Sequence, residues 1–257
     1  MEKIIFKLGD TTYKAKSLNQ LSINEHQEVV KVINAEGDEL QKIKELIHLL
    51  AEIPYDKLDI IRISSFILID FKKLLSIDTT KIPLRKSYRV EGKDYYLREF
   101  NEMKYGKWID LNYFIKQKEN TMSNTIARMI IPDDNINDTY KLSEIIRTDL
   151  NIMDGLTLFD TIINWRADLI KQYEGLFEPP TEEEDEDEES VEEEENVQED
   201  EDVDGGWSNA AYELAENLLN VDAIKELPLI EVLNYMSYKK QKAEKEKAAY
   251  DKANNIR

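Results

Sequence analysis

The sequence predicts a mainly α chain with two small β-hairpins, an α+β class built in three parts. Residues 1–178 read as a mostly helical N-terminal domain, 179–206 as a disordered acidic linker, and 207–257 as a small helical C-terminal module. Three observations lead there. Apolar residues recur at helical spacing along most of the chain. Two glycine turns sit between β-prone runs, near 4–16 and 88–98. Seventeen acidic residues crowd between Thr181 and Asp204, with no Lys or Arg among them.

The bulk numbers bound the rest. At 257 residues and 41% hydrophobic, the chain can bury a real core. Its formal charge of −20 is local: outside the acidic run, 37 acids face 34 bases. A basic partner therefore does not follow from the total charge. With no cysteine, disulfides, iron–sulfur clusters and thiolate zinc sites are ruled out. The start, MEKIIFKLGD, is charged within three residues, so no signal peptide is expected. The densest apolar stretch, residues 58–75, carries Asp59, Arg62, Asp70, Lys72 and Lys73. It suits a buried helix better than a bilayer. A soluble, cytoplasmic protein with no membrane partner is expected.

Gly9-Asp10 marks the first hairpin. Ser22 and Glu25 then have the spacing of a capping box, opening a helix through Ile33. Leu40, Ile43, Ile47 and Leu50 give the next helix, which Pro54 bounds. The second hairpin centres on Gly92 and echoes the first. Leu18-Asn19-Gln20-Leu21 parallels Phe100-Asn101-Glu102-Met103, and Gly9 with Tyr13 parallels Gly92 with Tyr96, one residue out of step. Chance similarity and one unit used twice are both open at this point. Helices are predicted over 108–117, 121–131, 142–150 and about 154–176, before Pro179-Pro180.

Beyond the acidic run, Trp207, Ala210, Ala211, Leu214, Ala215, Leu218 and Leu219 trace an amphipathic stripe. Pro228 opens another helix with Leu229, Val232, Leu233 and Met236 on its apolar face. From Lys239 onward the pattern thins to alanines among seven bases and three acids, a solvated tail. Like charges should extend the acidic run into a tether.

Chemistry-bearing motifs are weak. DDNINDTYKLSE, residues 133–144, approximates a calcium loop, with Asp133, Asn135, Asn137 and Glu144 at oxygen-ligand positions. Asp138 stands where that loop needs Gly, Lys141 puts a cation among the ligands, and Pro132 breaks the entering helix. A capped polar turn is the better reading. His26 and His48 lack a helical His or Glu partner for a metal. No phosphate-binding glycine pattern or nucleophile elbow is present. The lysines of the tail are diluted by Glu244, Glu246 and Asp251, so no nucleic-acid partner is expected. The reading is non-catalytic, without catalytic residues, cofactor or metal. The candidate partner-binding residues are Trp207, Ala211, Leu214, Leu218, Leu229, Val232, Leu233 and Met236, on a tethered lobe that could hold an apolar segment of another chain.

The helical domain, acidic connector and Trp-led helical module of residues 205–247 together resemble phage tail assembly chaperones. GKDYYLREF, YGKWIDLNYFIKQKENT and IARMIIPDD, covering much of 88–140, resemble phage structural proteins. The resemblance implies a protein that binds and solubilises the tape-measure protein and recruits tail-tube subunits in the host cytoplasm. A homo-oligomer is a separate candidate partner. The alternatives are a structural virion protein, as adaptor or packaged component, and an acidic decoy for a basic host protein.

Overall fold

The computed structural model describes residues 4–59, 71, 82–117, 120–130, 136–176, 203–215 and 220–254. Two hairpins and ten helices lie among them: β1 (Ile5–Leu8), β2 (Thr11–Lys14), α1 (Ile23–Asn34), α2 (Glu39–Ala51), α3 (Tyr55–Leu58), β3 (Tyr88–Val90), β4 (Lys93–Tyr95), α4 (Tyr105–Lys116), α5 (Thr121–Ile130), α6 (Ile136–Asp149), α7 (Ile152–Gln172), α8 (Val203–Ala215), α9 (Val221–Lys225) and α10 (Leu229–Asn254). The mainly helical class with two small antiparallel sheets is as expected. Three expectations fall outside the described residues: most of the helix over 58–75, the linker up to residue 202, and Asp133 and Asn135 of the calcium-like loop.

Two compact units emerge, and they do not divide at 178. Unit 1 comprises 1–97 and 117–162; unit 2 comprises 98–116 and 163–257. Unit 2 therefore groups the 207–257 segment with α4 and the end of α7. Helical periodicity shows that a face is apolar, but not which distant segment covers it.

In unit 1, the capping box forms as predicted. Ser22 Oγ accepts from the Glu25 amide at 3.2 Å, and Glu25 Oε2 accepts from the Ser22 amide at 2.9 Å. Asp38 caps α2 by accepting from the Gln41 amide. Ile23, Val29, Leu46, Ile47, Leu50 and Ile126 are buried. Gly155 lets α7 approach α1 closely, since a Cβ there would lie 2.9 Å from Ile23 Cδ1. Helix α6 starts at Ile136 rather than near 142, so part of the expected polar turn is helical. Lys141 bonds Asp138 one turn back, which explains a cation at that position without any metal.

Unit 2 is built around an aromatic core. Phe100, Tyr105, Trp108, Leu111, Trp207, Ala211, Leu229, Val232 and Leu233 are all buried. Trp108 meets Trp207 edge-to-face at 5.2 Å and Phe100 at 5.6 Å, a preferred geometry for aromatic pairs.

Candidate functional site

The hairpin echo resolves into a repeated structural unit. Each hairpin leads to one 3₁₀ turn, Leu18–Gln20 or Phe100–Glu102, and then to a helix of 12 residues, α1 or α4. Pairing by structure shifts the expected alignment by one. Leu8↔Thr11 closes the first turn and Val90↔Lys93 the second, so Gly9 and Gly92 occupy different turn positions. Glu91 and Gly92 both have positive φ, 47° and 73°, as a two-residue hairpin turn with mirror-image geometry demands. Phe6 then matches Tyr88, Leu18 matches Phe100, Leu21 matches Met103, Ile23 matches Tyr105, and Val29 matches Leu111. Every one of these is buried.

A second strand-like segment closes each copy. In unit 1, the Ile23 amide donates to the Leu150 carbonyl and the Ile152 amide to the Leu21 carbonyl, at 3.2 and 2.9 Å. In unit 2, the Tyr105 amide donates to the Leu227 carbonyl and the Leu229 amide to the Met103 carbonyl, at 2.9 and 2.8 Å. The bridges Ser22↔Asn151 and Lys104↔Pro228 are therefore equivalent. Each delivers the chain into a long helix, α7 or α10. Asn151 serves as the cap of α7, accepting from the Met153 amide. Pro228 precedes α10, where a missing amide costs nothing.

The predicted partner-binding residues mostly have partners already. Trp207, Ala211, Leu229, Val232 and Leu233 are buried in unit 2; Leu214 and Met236 are half-buried; Leu218 is outside the described residues. The Trp207 carbonyl accepts from the buried Tyr105 hydroxyl at 2.8 Å. Burial pushes that phenol well above its ordinary pKa, so it stays a donor at physiological pH. Asn112 ties the unit further: its amide donates to the Trp108 carbonyl, and its Oδ1 accepts from Arg166 Nε at 2.7 Å. Trp207, Ala211, Leu229, Val232 and Leu233 thus belong to the core of unit 2 together with α4.

What unit 2 leaves outward is aromatic in a different place. Tyr235 and Tyr238 on α10 are 52% and 61% exposed, and Tyr212 on α8 and Leu227 are also exposed. Lys239 Nζ lies 5.7 Å from the centre of the Tyr235 ring. Every described side chain from 241 to 253 is exposed, so α10 ends as a solvated helix, as expected. These tyrosines were in view in the sequence but lay off the apolar stripe. Beside α10, an open cleft of about 360 Å³ is lined by Gln172, Tyr173, Leu176, Ser237, Lys240 and Glu244.

The histidines are boundary residues. His26 is half-buried and burial lowers its pKa. His48 Nδ1 bonds the Ile53 carbonyl at 2.8 Å and its ring meets Tyr55. Among the described residues, no three His, Asp or Glu side chains cluster as metal ligands. No helix among them is long and apolar enough to cross a membrane. None of the protein families, curated proteins or solved structures compared with this chain matches it.

Proposed function

We propose that this chain is a non-catalytic phage tail assembly chaperone, which shields the apolar helical surface of the tape-measure protein and helps recruit tail-tube subunits. The reading rests on the resemblance stated above, and one structural observation supports it: the exposed aromatic face of α10. Tyr235 and Tyr238 present large rigid rings with polar tips, set among Lys239, Lys240 and Lys242. Tyrosine covers apolar area at little conformational cost, which is why it is enriched at interfaces. The flanking lysines keep such a face wet when no partner is bound. On this reading the contact lies on the outside of unit 2 rather than on the stripe of Trp207, Leu229 and Leu233, which are buried.

The test is co-expression with a phage tape-measure protein, taken from beside this chain's own gene. A soluble complex is expected, and the double variant Tyr235→Ala/Tyr238→Ala should lose it while keeping its own circular dichroism and unfolding midpoint. A tape-measure protein that stays insoluble, or a double variant that holds it as well as the parent does, refutes the reading.

A further inference from the structure

We infer that the acidic segment 181–202 docks along one lane of helix α10, the lane of Gln241, Lys245, Ala248 and Lys252. These four stand at i, i+4, i+7 and i+11 and share one face of the helix. All four are exposed. The lane carries no acid. Glu244 and Asp251, seven residues apart, run along a neighbouring lane. Glu246 lies on the far side, where it pairs with Lys242 at 3.8 Å. Among the described residues, no carboxylate pairs with Lys245 or Lys252. The acids that dilute this tail in the sequence are thus turned away from one of its faces.

The occupant follows from where the chain leaves the helix and from its charge. Leu176 is the last described residue before the acidic segment and Val203 the first after it, and both belong with α10 to unit 2. Leu176 lines the cleft beside α10 together with Lys240, Gln241 and Glu244. The chain therefore departs at the head of the acid-free lane. Six residues on come eight consecutive acids, Glu182–Glu189. Six residues reach up to about 20 Å, and Gln241 and Lys252 are about 17 Å apart along the helix axis. The path from Leu176 to Val203 is up to about 90 Å long, so the segment can run the length of the lane and return.

Charge and tether act together. Repulsion among adjacent carboxylates is relieved by ammonium groups set two turns apart on the helix. A short tether holds the segment near α10 at an effective concentration of about a millimolar. It therefore outcompetes the same segment of another chain at micromolar concentration. The contact is electrostatic and lies at the surface, so it weakens as the Debye length falls from about 10 Å at 0.1 M salt to about 3 Å at 1 M. Tyr238, 61% exposed, stands three residues before Gln241 and heads the same lane. One consequence rests on the reading under Proposed function: the segment and the tape-measure partner contest that ring. The contact itself requires no partner.

The absence of native cysteine allows a direct test in the full chain. Ser190→Cys, between the two longest acidic blocks, is combined with a second cysteine on the lane, Ala248→Cys, or off it, Ala243→Cys, about 140° around the helix. Ala243 lies nearer the cleft along α10, so tether length alone does not favour Ala248. Formation of the intramolecular disulfide is timed with hydroxyethyl disulfide as oxidant. Each rate is divided by the rate at which the same helix thiol, alone, reacts with that reagent. At about 20 mM salt the pair on the lane should form at least about fivefold faster. That ratio should fall below about two at 1 M salt, and likewise at low salt when Lys245→Gln and Lys252→Gln are added. A ratio near one at low salt, a ratio that salt leaves unchanged, or a crosslink that forms between chains and slows on dilution overturns the inference.

Discussion

Replacing Trp207 by Ala distinguishes a core residue from one reserved for a partner. Trp207 is 4% exposed, lies edge-on to Trp108 at 5.2 Å and Tyr105 at 6.4 Å, and accepts the Tyr105 hydroxyl at its carbonyl. Removing a buried tryptophan typically costs about 3–5 kcal/mol, which already includes the aromatic contacts of roughly 0.5–1.5 kcal/mol each. With a urea slope of about 2 kcal/mol per molar, the midpoint should fall by about 1.5–2.5 M. The assay is unfolding followed by tryptophan fluorescence. All three tryptophans, Trp108, Trp165 and Trp207, lie in unit 2, so this signal reports that unit and no other. In the variant, Trp108 and Trp165 still report. Far-ultraviolet circular dichroism follows both units, and a fluorescence midpoint that drops ahead of it would locate the damage. A fall of less than about 0.5 M would mean that Trp207 is not part of the core. The stripe around it would then be free for another chain after all.

Other outcomes can be checked on the same footing. Tyr105→Phe removes only the hydroxyl that the Trp207 carbonyl accepts, and should cost about 1 kcal/mol in the same fluorescence titration. Gly155→Ala places a methyl 2.9 Å from Ile23 Cδ1; overpacking of about 1–3 kcal/mol should exceed the gain of about 1 kcal/mol in helix propensity, and Ile23→Val should restore part of the loss in thermal unfolding. Ser22→Ala should cost about 1 kcal/mol through its lost cap bond. Burial raises the Glu25 pKa, but the bonds from Lys16 and Ser22 outweigh it and leave the carboxyl below its ordinary value. Its contribution is therefore present above the ordinary carboxylate range and lost as pH falls through the lowered folded value. Glu25→Gln should flatten stability over that acid window, measured as urea midpoint against pH.

Local features were legible in the sequence because local chemistry writes them. Ser22 and Glu25 cap a helix through bonds within four residues, and Gly9 and Gly92 mark turns closed by adjacent strands. The repeat was half legible: the Leu18 and Phe100 segments align by eye, but the glycines mislead by one residue, because each turn places its glycine differently. The organisation of unit 2 was not legible. Nothing in the pattern of Trp207, Ala211 and Leu233 says that Tyr105 and Trp108, about a hundred residues earlier, are what they cover. A stripe waiting for its own core and one waiting for another chain look alike. The exposed pair Tyr235 and Tyr238 carries no sequence signal for the opposite reason: an aromatic off the apolar face looks like any other surface residue.

The bond from the Tyr105 amide to the Leu227 carbonyl has a consequence for synthesis. Roughly 120 residues separate its ends, and at about 5–20 residues per second a ribosome needs about 6–24 s to cover that distance. Through that interval unit 2 lacks Leu229, Val232 and Leu233, and until residue 207 is made Trp108 also lacks Trp207, while the matching bridge of the first half can already close once Ile152 clears the exit tunnel. The newborn polypeptide thus passes through a stage in which one half has set and the other still carries bare aromatic surface, and a ribosome stalled before codon 227 would leave it there.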